Sequence, residues 1–264
     1  MPKTSDSIET YYKFKKINEK NPILFIHGIG LTNEMWDQQI DYFKNYNTIV
    51  YDLMGHGKTP LNNKHISIKS FSTQLLKLID SLNIDKIHLV GFSLGSLIAR
   101  DFASLHNDRL KSLIISGTIY KRNENEKRQI VNRYETMKKN KAVSKKRALV
   151  RWFTEDFIKK NPHIYKKIYS MLENTNHDTW LKAYKTFAYH EDNVVSIKKI
   201  KANSLIITGQ DDIGSKPKMS ESLSKLIKGS QFKIIKKGKH FCNIECAENY
   251  NLTIREFIDK NAKA

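Results

Sequence analysis

Cysteine is scarce in this sequence: there are two in 264 residues, Cys242 and Cys246, close together near the C-terminus. Two thiols are too few for a disulfide framework and lack the second pair of a structural zinc site, so they read as buried or half-buried free thiols. Long apolar runs are also missing. No stretch approaches the roughly 20 residues that span a bilayer, and the opening "MPKTSDSIETYYKFKK" has no apolar region of signal-peptide type. The expectation is a soluble, cytoplasmic protein with no transmembrane segment. Zinc-finger spacing, an RNP-like aromatic motif, a glycine-rich nucleic-acid loop, internal repeats and flexible linkers are absent too, which argues against nucleic acid as a partner despite a net charge of +19. Lys outnumbers Arg and accompanies abundant Asn and Ile, a combination that an AT-rich coding sequence produces. The lysine runs between residues 138 and 147 read most simply as solvated helix faces.

What is present suffices for a core. Hydrophobic residues at 39% and aromatics at 10% lie far from the composition that keeps chains disordered, and the length suits one large domain carrying an insertion. Residues 8–17 suggest a hairpin leading into the short apolar run Ile23 to Ile26. Met35, Trp36, Ile40 and Phe43 then recur at helical spacing, "NTIVYDL" reads as a strand, and "DLMGHGKTP" as a loop broken by glycine and proline. Residues 67–82 place Phe71, Leu75, Leu78, Ile79 and Leu82 on one helical stripe. The runs "KIHLV" and "LKSLIIS" are buried strands flanking a helix over residues 94–105. Apolar strands alternating with helices predict an α/β fold, a mostly parallel sheet covered on both faces.

That alternation stops at Thr118 and resumes at "SLIITG", "MSESLSKLIK" and "QFKII". Between them the chain is Lys-rich and helical in period, with Trp152, Phe153, Phe157, Tyr165, Tyr169, Trp180, Tyr184 and Phe187 as apolar positions. The expected organisation is a core formed by residues 1–117 and 197–264, with a helical cap inserted at 118–196.

The chemistry centres on "HLVGFSLGSLIARDFA". In Gly91-Phe92-Ser93-Leu94-Gly95 the glycines either let a helix lie close to a strand or let the backbone turn sharply and hold the Ser93 hydroxyl clear of both elements. A serine hydroxyl is a poor nucleophile unless an imidazole takes its proton and a carboxylate orients that imidazole. Such groups must sit at the carboxyl edge of a parallel sheet. "TGQDDIGSKP" places Asp211 and Asp212 there, and "KKGKHFCNIE" places His240 there, in the chain order Ser, Asp, His. The backbone N–H groups of Leu94 and of Ile29, in "HGIG", are candidates for holding a negative oxygen. No cofactor and no metal is required.

Together "LFIHGIG", "MWDQQ", "YDLMGHGKT", "HLVGFSLGSLIARDFA", "LKSLIISGT", "LIITGQDDIGSKP" and "GKHFCNIECAENYNLTIREFI" resemble the α/β-hydrolase superfamily, in the esterase, enol-lactonase and haloperoxidase-like branch with a helical cap. The resemblance implies Ser93, Asp212 and His240 as the catalytic residues, with Asp212 taken from the pattern G-x-x-D and its neighbour Asp211 as the competitor. It makes the Asp52 and His56 loop structural and has His27 shape the loop presenting Ile29. Two departures stand out: relatives commonly carry glycine where this chain has Ser96, which implies a slightly looser helix, and proline before the strand that here begins at Ser204. The implied activity is cleavage of a carboxylic ester or lactone through an acyl-serine. C–C bond hydrolysis of a ring-cleavage product, or ligand binding without catalysis, are the alternatives. The positive charge mildly favours an anionic small-molecule substrate, such as the enol-lactone of a dicarboxylic acid.

Overall fold

The computed structural model describes residues 2–6, 8–62, 66–140 and 146–262, except the side chains of 146–148. His65 and most of the lysine-rich stretch 141–147 fall outside the described residues or side chains, whereas Lys138 and Lys139 are exposed at a helix end. Seven strands, β1 (Tyr12–Lys15), β2 (Ile23–Ile26), β3 (Thr48–Tyr51), β4 (Ile87–Phe92), β5 (Leu110–Ser116), β6 (Ser204–Gly209) and β7 (Gln231–Ile235), form one sheet in the order β1-β3-β2-β4-β5-β6-β7. All pairings are parallel except β1 with β3.

The inner strands are continuous apolar runs because both faces are covered. Leu24 and Ile26 join one hydrophobic cluster while Ile23 and Phe25 join the other, as strand alternation requires. The helices that cover the sheet are α1 (Asp37–Tyr42), α2 (Ile68–Ser81), α3 (Leu94–Leu105), and, after β6, α10 (Pro217–Leu226), α11 (Cys242–Glu245) and α12 (Ala247–Ala262). Among the described residues between β5 and β6 lie six α-helices: α4 (Glu124–Lys139), α5 (Lys146–Trp152), α6 (Glu155–Lys160), α7 (Pro162–Asn174), α8 (His177–Ala188) and α9 (Val194–Lys198).

One local expectation fails. Residues 8–17 do not form a hairpin leading into β2; instead β1 lies at the sheet edge, Tyr12 to Lys15 pairing antiparallel with Tyr51 to Thr48. The reason is that both sides of β2 are taken, by β3 and β4, so the N-terminal segment finds ladder partners only on the free side of β3. The Asn47 side chain fixes the link to β2, accepting from the Ile17 and Asn18 N–H groups and donating to the Lys20 carbonyl.

A part-buried ion pair ties both ends of the helical stretch between β5 and β6 to α3. Arg100 donates to Asp192 at 2.6 Å and to the Ile119 carbonyl at 2.8 Å, and the other Asp192 oxygen accepts from the Lys121 N–H at 2.7 Å. Removing either partner leaves a charge stranded away from water, which is far costlier than losing a surface pair.

Three buried histidines make the fold acid-sensitive. His27 and His56, with rings 5.3 Å apart, and His88, against the Ser112 hydroxyl at 2.8 Å, are pushed by burial to about 4, about 3 and about 4. The unfolded chain takes up these protons below about pH 6.5, while the folded state resists them. Their contribution is therefore intact above pH 6.5 and lost as pH falls towards 4 and 3, each ring withdrawing about 1 kcal/mol per pH unit. Urea midpoints are expected to drop between pH 7 and pH 5, and a constant midpoint would contradict the buried neutral rings.

Candidate active site

Strand order decides which loops meet. Because β2 and β4 are neighbours while the chain passes through β3 between them, a crevice opens beyond their carboxyl ends, where open parallel sheets bind ligands. The loop after β2 contributes Ile29 to this crevice, β4 leads into Ser93, β6 into Asp212 and β7 into His240.

Ser93 stands between β4 and α3 with φ of 54° and ψ of −114°, a conformation that L residues other than glycine rarely adopt and that costs on the order of 1–3 kcal/mol. The surrounding glycines are what permit it. A Cβ at Gly91 would lie 2.3 Å from the Gly95 carbonyl oxygen, and one at Gly95 would lie 2.4 Å from that of Ile26. The two readings of the motif are thus one: the glycines bring α3 against the sheet, and that close approach holds the turn on the serine. Ser96 does not loosen this contact, since the close approach is at Gly95; its buried hydroxyl donates to the Ser93 carbonyl at 2.5 Å.

The structure brings Ser93, His240 and Asp212 into one hydrogen-bonded line. His240 Nε2 lies 3.1 Å from Ser93 Oγ, and Nδ1 lies 2.6 Å from Asp212 Oδ2. All three are buried, at 9%, 8% and 3% exposure, so water competes little for these bonds. The other Asp212 oxygen accepts from the Gly214 and Ser215 N–H groups at 2.9 and 2.8 Å. Burial alone would raise the Asp212 carboxyl, yet His240 and these two N–H donors outweigh it and hold the group below the ordinary carboxylate range. Asp211 is exposed; its N–H donates to the Gly238 carbonyl, and its charge acts on the Cys246 thiol.

His240 is held from several sides. Phe92 and Trp152 have ring centroids 4.9 and 6.1 Å from it. Its loop crosses β6 so closely that a Cβ at Gly209 would sit 2.1 Å from the Lys239 carbonyl oxygen. Leu94, the first residue of α3, carries an N–H that helix geometry leaves without an intrahelical acceptor, and Ile29 lines the cavity beside Ser93.

The remaining histidine and aspartate candidates are absorbed by architecture. Asp52 accepts from the Asn33 and Lys58 N–H groups, joining two loops. His27 sits between the Gly28 carbonyl at 2.7 Å and the Leu53 N–H at 2.9 Å, and His56 meets the Met54 carbonyl at 3.1 Å. Cys242 is buried and Cys246 half-buried, both free, and burial raises both thiols. Among the described residues no cluster of His, Cys, Asp and Glu suits a metal ion, and no helix is long and apolar enough to cross a membrane.

A cavity of about 570 Å³ is lined by Ser93 and His240 together with residues from the helices between β5 and β6. Its lining includes the apolar Ile119, Ile130, Met137, Trp152 and Phe187. It also includes Arg122, Arg133 and Arg151, which sequence reasoning passed over as part of a general basic character.

The chain belongs to the α/β-hydrolase fold family, whose model matches residues 21–246. It is 28% identical over 91% of its length to an (E)-2-((N-methylformamido)methylene)succinate hydrolase of Acinetobacter baylyi, 91% of which is covered. A 3-oxoadipate enol-lactonase of the same organism is 25% identical, with 92% of this chain and 90% of the relative aligned. Among solved structures, the enol-lactonase of Burkholderia xenovorans superposes with a TM-score of 0.90 at 22% identity, over 98% of this chain and all of the other, a likeness of fold.

Proposed function

We propose that the protein hydrolyses a carboxylic ester or lactone, with Ser93 as nucleophile, His240 as general base and acid, and Asp212 as the carboxylate that orients the imidazole. The observation that carries this reading is the line from Ser93 Oγ through His240 to Asp212, at 3.1 and 2.6 Å.

With the Nδ1 proton donated to Asp212, His240 Nε2 is left as the acceptor for the Ser93 hydroxyl proton. As that proton moves, Oγ bonds to the carbonyl carbon and the carbonyl π electrons shift to oxygen. The Leu94 and Ile29 N–H groups stabilise this oxyanion. Collapse breaks the carbon–oxygen bond to the leaving alcohol, which takes the proton from His240, and the acyl group stays on Ser93. Water then attacks the acyl-serine, giving its proton to His240; release of the acid returns a proton to Ser93. In a lactone the leaving alcohol and the acid are two ends of one product. Relatives named as enol-lactonases support the lactone among possible esters.

A panel comprising p-nitrophenyl acetate, a simple γ-lactone and a ring-cleavage dienone with a scissile C–C bond tests the reaction type. Catalytic turnover of the ester or the lactone with none of the dienone is expected. Turnover of the dienone alone would replace ester hydrolysis by C–C hydrolysis, and stoichiometric binding without turnover would make the protein a receptor.

A further inference from the structure

We infer that the cap wall formed by Arg122, Arg133 and Arg151 is a receptor for a carboxylate carried by the substrate, so that the molecule cleaved is an acid ester or acid lactone and not a neutral one. The inference rests on the hydrolase reading for the word substrate, but the receptor itself stands on the cavity.

All three arginines line the same cavity as Ser93 and His240. Arg122 is fixed in place: its Nη2 donates to the Phe187 carbonyl at 2.8 Å and the His190 carbonyl at 3.2 Å, both at the far end of the cap. Its Nη1 is buried and has no hydrogen-bond partner. A buried guanidinium donor left unpaired is expensive, and a ligand oxygen removes that cost. Burial lowers Arg122 and Arg151 from their ordinary value, and the charge of Arg133 lies close enough to lower Arg151 further. Arg122 and Arg151 are half-buried and Arg133 is exposed, and like charges gathered at one wall favour an anion among them.

The nearby acids are committed elsewhere. Asp212 faces His240, Gly214 and Ser215. Glu126 lines the cavity too and its charge acts on Arg122, but its two oxygens are taken by Lys216 at 2.6 Å and by the Asn123 N–H at 2.9 Å. Asp192 and Glu191 also act on Arg122, but Asp192 is clasped by Arg100 and Glu191 is exposed near Lys127. None of the three arginines forms an ion pair with a carboxylate among the described residues. Arg133 hydrogen-bonds the Tyr184 side chain, a phenol whose acidity burial weakens. The planar guanidinium fork matches the two oxygens of a carboxylate, and the apolar Ile130, Met137 and Phe187 beside it suit a short hydrocarbon spacer to the scissile carbonyl.

The test compares monomethyl glutarate, a monoanion, with dimethyl glutarate, its neutral counterpart, binding to the full-length Ser93→Ala protein by titration calorimetry. The monoanion is expected to bind about ten-fold more tightly or better, as charge-assisted hydrogen bonds imply. Arg122→Gln and Arg151→Gln, each added to Ser93→Ala, should reduce that preference. If circular dichroism shows Arg122→Gln unfolded, Arg151→Gln decides. Equal affinities, a preference surviving in the folded arginine variants, or no binding of either ester at millimolar concentration would overturn the inference. Inorganic phosphate displacing the monoanion at equal concentration would overturn its assignment to a carboxylate. Methanol release by the wild-type protein separates the two readings. Charge preference without methanol release refutes hydrolysis and leaves the receptor standing, whereas methanol release without charge preference does the reverse.

Discussion

Ser93→Ala is expected to lower turnover of an accepted ester by about 10⁶-fold, the loss seen when a triad nucleophile is removed. The fold should survive. Alanine fills the same space as serine without its hydroxyl, and the strained backbone at this position is held by Gly91 and Gly95 and not by the Ser93 side chain. The hydroxyl contributes one hydrogen bond, to His240, so the circular dichroism spectrum should be unchanged and the melting temperature nearly so. A purified, folded variant keeping more than a few per cent of the activity would place the nucleophile elsewhere.

Asp212→Asn is expected to cost about 10⁴-fold in turnover, because an asparagine can present its amide to His240 and so favour the wrong tautomer. Asp211→Asn should change turnover little. The two carboxylates are adjacent in sequence, but one is buried and accepts from His240, Gly214 and Ser215, while the other is exposed. Steady-state kinetics on the two variants, prepared alongside wild type, ranks them directly. The opposite ranking would make Asp211 the orienting group, and small effects from both would remove the carboxylate from the mechanism.

How much of this was legible in the sequence depended on how local the signal was. The sheet was legible because β2 to β6 are buried on both faces, which forces continuous apolar runs. The turn at Ser93 was legible because only glycines at 91 and 95 allow so close an approach of backbone to backbone. Choosing between Asp211 and Asp212 needed the family pattern, since which of two neighbours points inward is set by the turn after β6. The edge position of β1 was not legible, because alternating residues show that a strand forms without showing which strand it pairs with. His88 offered no partner in sequence; Ser112 comes beside it only through the β4 and β5 register.

The arginines were hidden for a related reason. In a chain with 46 Lys and Arg, a basic residue in or just before an amphipathic helix reads as solvated, and only the packing between β5 and β6 shows that Arg122, Arg133 and Arg151 line the cavity. The Arg100 and Asp192 pair, 92 residues apart, is equally a product of the assembled fold.

The central claim is that Ser93 is a nucleophile activated by His240. Its most direct test is peptide mass spectrometry after treatment with a fluorophosphonate, which phosphonylates an activated serine hydroxyl and releases fluoride. The account predicts one adduct, on Ser93, in the wild-type protein, and a labelling rate lowered by orders of magnitude in a folded His240→Gln variant. An adduct on another residue, no adduct, or equally fast labelling of Ser93 in the variant would contradict it.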